Sequence, residues 1–161
     1  MKLGLALKQV QDAEEELASE LLKVADRHAV DHEIHHTAHR LALGCAALTE
    51  RLRPFGDRYE TEIEPADADS PGLLERMRQR SSELLGRTPP SGMLLLRDLR
   101  ELWLAAQAAE ISWVVLAQGA QAARDPELLA LATEGHDEAE VRGKWIRTHI
   151  KESAPQVLVA G

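Results

Sequence analysis

Apolar residues recur along two long stretches of this chain at the three- and four-residue spacing of an amphipathic helix. In the first stretch Leu3, Leu7, Val10, Leu17, Leu21 and Val24 form one stripe. Val30, Ile34, Ala38, Leu41, Cys45, Leu48, Leu52 and Phe55 form another. At about 100° per residue the second stripe is rotated by roughly a quarter turn or more from the first. A break near Asp26–Asp31, with Asp31 as an N-cap, explains the change of phase and predicts helices over about 2–27 and 31–55. The alternative is one continuous helix whose two halves face different partners.

The second stretch divides at Arg124-Asp125-Pro126-Glu127, where an N-cap Asp precedes a Pro at the first helical position and a Glu in the first turn. Helices are predicted over about 92–123 and 126–153, the latter closed by Pro155. Leu95, Leu99, Leu102, Trp103, Ala106, Ala109, Trp113, Ala117 and Ala120 mark the inward stripe of the former. Leu128, Leu131, Ala132, Gly135, Ala139, Ile146 and Ile150 mark that of the latter. Between the stretches, residues 59–64 read as extended and the acidic run 60–69 as a solvated loop. Ser70 and Pro71 open a short helix over about 71–85, with Gly86 as its stop.

Composition narrows the picture. The chain has 161 residues, of which only 3% are aromatic, too few for a typical β-sandwich core. Leu, Ala, Glu and Arg dominate, all strong helix formers, so the fold class is all-α in one domain. A net charge of −8, with no basic cluster interleaved with aromatics, argues against nucleic acid as a partner. No apolar run approaches the roughly 20 residues of a membrane span, and the N-terminal LGLAL is too short for a signal-peptide core. The single cysteine, Cys45, fits a reducing compartment, so a cytoplasmic protein without membrane attachment is expected.

Two helical hairpins joined by one long central link resemble the ferritin-like superfamily, whose bundles carry a crossover between the second and third helices. The resemblance implies a four-helix bundle with the short 71–85 helix in its crossover. It also implies a di-iron site built from a Glu on each of two helices and a Glu-x-x-His on each of the other two. Glu33 with His36 matches that motif, and Glu14 and Glu110 are the matching single carboxylates. The fourth helix departs from the pattern: Glu134 is followed three residues later by Asp137, Glu138 by Val141 and Glu140 by Gly143. Counted from the first turn, Glu14 lies level with about Gly44 and not with Glu33. On the helical wheel, Glu33 and His36 point away from the apolar stripe.

Five of the seven histidines fall between His28 and His39. His32 with His36, and His35 with His39, are i,i+4 pairs suited to a divalent transition metal such as Zn²⁺, Ni²⁺ or Cu²⁺. The plain reading is a solvated, His-rich helix face. Cys45 reads as a buried structural thiol, and Trp103, Trp113 and Trp145 as core or interface. There is no nucleophile elbow, phosphate loop or dinucleotide fingerprint.

The sequence thus favours a non-catalytic, ferritin-like bundle, without a cofactor, that associates with itself or a partner. The alternative is a ferritin-like metalloprotein, a di-iron oxidase or a divalent-metal-binding protein, with His32, Glu33, His36, Glu14 and Glu110 as candidate ligands for iron or another divalent transition metal. A homodimer is expected because the helix after Ser91 is apolar nearly all round between Leu102 and Leu116. Leu104, Val115 and Leu116 lie off its main stripe and need cover from another chain or from the short 71–85 helix, the main competitor for that surface. Glu110 lies on the inward stripe, level with about Ala139 across the Arg124–Asp125 turn, and Arg142 lies one turn from that level on the facing stripe, so a buried Glu110–Arg142 ion pair is expected. Metal ligation by Glu110, or a carboxylate bonded to water or a hydroxyl, are the alternatives.

Overall fold

The computed structural model describes residues 1–65 and 91–161, and the change of apolar phase between the first two stripes is a true helix break. Helix α1 spans Leu3–Arg27, α2 His32–Arg58, α3 Gly92–Ala122 and α4 Pro126–Pro155, with a π-helical turn over Gln156–Ala160. No strand occurs among the described residues, and the fold is an all-α four-helix bundle. Three helices start on side-chain caps. Asp31 accepts from the Ile34 amide at 3.1 Å, Ser91 from Leu94 at 3.2 Å and Asp125 from Leu128 at 3.1 Å. Helix α2 runs through Pro54 to Arg58, three residues past its predicted end. Proline costs that turn one amide donor, but the Tyr59 amide still reaches Phe55 O at 3.0 Å. The predicted short helix over 71–85 lies outside the described residues.

Helices α2 and α3 both end on a left-handed residue that is not glycine, Glu60 (φ 55°) and Arg124 (φ 55°). In each case the next amide reaches back to close a Schellman-type cap: Thr61 N to Gly56 O at 2.9 Å, and Asp125 N to Ala120 O at 3.0 Å.

Side-chain pairs fix how the two hairpins sit together. Leu3 lies on Gly119 and Arg27 on Asp98, so α1 and α3 are antiparallel. Arg51 meets Glu134 and Glu33 meets His149, so α2 and α4 are antiparallel. The diagonal pairs, α1 with α4 and α2 with α3, are therefore parallel. It follows that α2 ends and α3 begins at opposite ends of the bundle. The chain leaving α2 turns back along α1, where Gln11 donates to Glu64 O at 3.0 Å. Gly4 and Gly56 allow this close return, since a Cβ at either would stand 2.8 Å from the carbonyl oxygen of Tyr59 or Thr61.

The interior is two apolar clusters. One gathers Leu3, Leu7, Val10, Leu48, Leu52, Trp113, Leu116 and Leu128 at the end holding the α3–α4 turn. The other gathers Leu17, Leu21, Ile34, Ala38, Cys45, Leu102, Ala106 and Ile146 at the opposite end. Two similar clamps tie the hairpins together, one at each end. Asp98 accepts from Arg27 at 2.8 Å and faces His28 Nε2 at 2.8 Å. Asp125 accepts from Arg58 and from the Tyr59 hydroxyl, both at 2.7 Å. Each clamp uses the last residue of a helix and the residue after it.

Burial pushes the Asp125 carboxyl up, but hydrogen bonds from Tyr59, Arg58 and the Leu128 amide prevail and hold it down at about 2. The unfolded chain leaves an Asp near 4, so the clamp's contribution is complete above about pH 4 and disappears as pH falls toward 2. Asp125→Asn keeps the helix cap, and it should flatten the fall in urea midpoint between pH 4 and pH 2.5. Arg124→Gly relieves a left-handed side chain and should raise unfolding free energy by about 1 kcal/mol in urea titrations at neutral pH.

Candidate functional site

Between the two apolar clusters lies a layer built by one side chain from each helix. Glu14 from α1 is fully buried. Its Oε1 accepts from Arg142 Nη1 of α4 at 2.8 Å and from the indole Nε1 of Trp113 of α3 at 2.7 Å. Cys45 of α2 completes the layer. Burial, and after it the negative charge of Glu14, pushes the Cys45 thiol well above its usual pKa. Burial disfavours the charge on Arg142, but Cys45 and Glu14 outweigh it and its pKa stands above the usual arginine value. The ion pair is single-toothed: Glu14 Oε2 and Arg142 Nη2 have no hydrogen-bond partner, and Nη2 lies 3.7 Å from Glu138 Oε2.

The backbone brings these groups together for geometric reasons. Glu14 is eleven residues past Leu3, which lies on Gly119, five residues short of Arg124. Arg142 is sixteen residues past Pro126. Both therefore sit at one depth from the same end of the bundle, on parallel diagonal helices. Side chains lean toward their own helix N-terminus, so Arg142 and Trp113, on antiparallel helices, lean toward each other. Gly135 gives the indole its place, because a Cβ there would collide with the Trp113 ring.

Arg142 thus takes Glu14 as its partner, not the expected Glu110. Comparing depths within the α3–α4 hairpin alone misses the diagonal relation that brings α1 into reach. Glu110 lies instead on the outer seam between α3 and α4, with its Oε1 3.5 Å from His136 Nε2.

The residues expected around iron are dispersed. Glu14 is held by Arg142 and Trp113, and Glu110 faces His136. Glu33, His32 and His36 are exposed on the first turns of α2, where Glu33 Oε1 lies 3.3 Å from His149 Nε2. A di-iron centre needs its carboxylates and imidazoles around one pair of ions, and a guanidinium already neutralises the central carboxylate. These residues do not fit such a centre.

The His-rich segment is anchored in part. His35 Nδ1 lies 2.8 Å from Ala25 O, and His39 Nε2 lies 3.7 Å from Asp26. The His32 and His36 rings are 6.2 Å apart, and those of His35 and His39 are 4.4 Å apart. Among the described residues, the group of three metal-ligating side chains that converge is Glu110, His136 and Glu140. Sequence reasoning passed over the latter two. Their i,i+4 spacing on α4 was the available signal, and only the packing of α3 on α4 adds Glu110.

Comparisons with protein-family models, with curated proteins and with solved structures returned no match, so the site is read from its own geometry.

Trp113→Phe removes one of the two donors to a buried carboxylate oxygen and should cost about 1–3 kcal/mol in chemical denaturation. Cys45, only 1% exposed and with its thiol held protonated, should react with a thiol reagent at pH 8 only as fast as the bundle opens. Labelling as rapid as that of a free thiol would contradict this placement.

Proposed function

We propose that this chain is a ferritin-like four-helix bundle in which an internal ion pair stands where such bundles carry metal, and that it acts by self-association as a homodimer. The topology supports the first part, because one long link joins opposite ends of the bundle between the second and third helices. The Glu14–Arg142 pair supports it too. The positive charge that would offset a central carboxylate comes from a guanidinium, which leaves no catalytic role for that carboxylate. No described helix is long and apolar enough to cross a membrane, and a cytoplasmic setting would keep Cys45 reduced.

The observation that carries self-association is the outer face of α3. In a chain that is 29% charged, residues 102–123 contain a single charged side chain, Glu110. Opposite the core, Leu104 (46% exposed), Ala108, Ile111 (59%) and Val115 (50%) form a stripe toward solvent. Leu116, expected to need outside cover, is buried within the bundle itself. An uncharged face has nothing to offer a charged partner, and copies with a net charge of −8 repel each other elsewhere. The matching surface is the same face of a second copy. A two-fold axis near Ala108 would set Leu104 of one copy beside Ile111 of the other.

Light scattering on the untagged chain tests this. A dimer is expected at micromolar concentration, and Leu104→Glu with Ile111→Glu should yield a monomer of unchanged helicity. A wild-type chain that is monomeric across the micromolar range would overturn the proposal.

A further inference from the structure

Glu110, the one charged residue between 102 and 123, does not join the solvent-facing stripe of α3. It turns to the α3–α4 seam, toward His136 and Glu140 of α4. The ligating atoms of these three residues all lie within 4.8 Å of one another. His136 Nε2 is 3.5 Å from Glu110 Oε1 and 4.0 Å from Glu140 Oε1. Ligands about 2.0–2.2 Å from a tetrahedral ion stand roughly 3.3–3.6 Å from one another. The first separation already matches, and the half-exposed Glu140 must move toward both other ligands to complete the set, from within 4.8 Å.

We propose that Glu110, His136 and Glu140 bind one divalent first-row transition-metal ion on the α3–α4 seam, with Zn²⁺ as the reference ligand. An imidazole nitrogen in the set selects against Ca²⁺ and Mg²⁺, which take oxygen ligands. Helix α4 supplies two ligands from one face by their i,i+4 spacing, and α3 supplies the third from across the seam. Partial exposure of all three leaves a fourth coordination position to water. This site is separate from the buried Glu14–Arg142 layer, and it stands or falls independently of dimer formation.

Calorimetric titration of the untagged full chain with Zn²⁺ tests the assignment, with His32→Gln/His36→Gln as the control for the His-rich segment. One saturable site is expected. Its affinity should fall at least tenfold in Glu110→Gln and in His136→Gln, and remain in the control. Glu140→Gln, at an exposed position, should weaken it as well without disturbing the fold. Absence of saturable binding, or affinity unchanged in Glu110→Gln and His136→Gln, would overturn the assignment. Loss confined to the His32→Gln/His36→Gln variant would overturn it too.

Discussion

The Glu14 carboxylate has no access to water, and the bundle is arranged around keeping it paired. Its two donors, Arg142 and Trp113, come from different helices and converge on a single oxygen, with Cys45 of the remaining helix against it. Sliding α1, α3 or α4 by one turn, about 5.4 Å, would break that convergence, and a slip of α1 or α4 would strand a buried charge. Apolar side chains alone tolerate such slips far better, because Leu exchanges for Leu or Ala along a stripe. The ionic layer therefore supplies register, and the two apolar clusters on either side supply most of the favourable burial.

The charge distribution runs opposite to the usual one on α3 and at the core. Charged groups occupy the centre of the bundle and the clamps at its ends, where Asp98 and Asp125 each bind an arginine from the other hairpin. The solvent face of α3 after Glu101 is meanwhile left uncharged. All four helices join the ionic contacts, α3 through Asp98 and Trp113, and beyond Glu101 α3 also turns an uncharged outer face to solvent.

Much of the architecture was legible in the sequence because it depends on local signals. The shift of apolar phase at Asp26–Asp31 and the Asp125-Pro126 start are short-range rules, and both mark true boundaries. Periodicity puts Arg142 in the interior, but it offers no sign that Glu14 of α1 is its partner. Depth counted across one turn compares only adjacent helices, so it points Glu110 toward Arg142 and carries no sign of the diagonal α1–α4 contact. Trp113 was read for its bulk, and its indole N–H, which completes the carboxylate's pairing, depends on tertiary packing that periodicity does not encode. The end of α2 lies beyond local rules for a related reason. Pro54 signals a stop locally, and the closing bonds from Tyr59 and Thr61 belong to the chain's return along α1.

A double-mutant cycle on Glu14→Gln and Arg142→Met tests the central claim most directly, read as unfolding free energy in urea at neutral pH. Arg142→Met alone leaves a buried carboxylate unpaired and should cost about 3–5 kcal/mol, and Glu14→Gln leaves the guanidinium without its counter-charge. The double variant, with no buried charge to strand, should recover most of that loss, giving a coupling of several kcal/mol. Single costs that simply add would show that the two side chains do not depend on each other and would contradict the account.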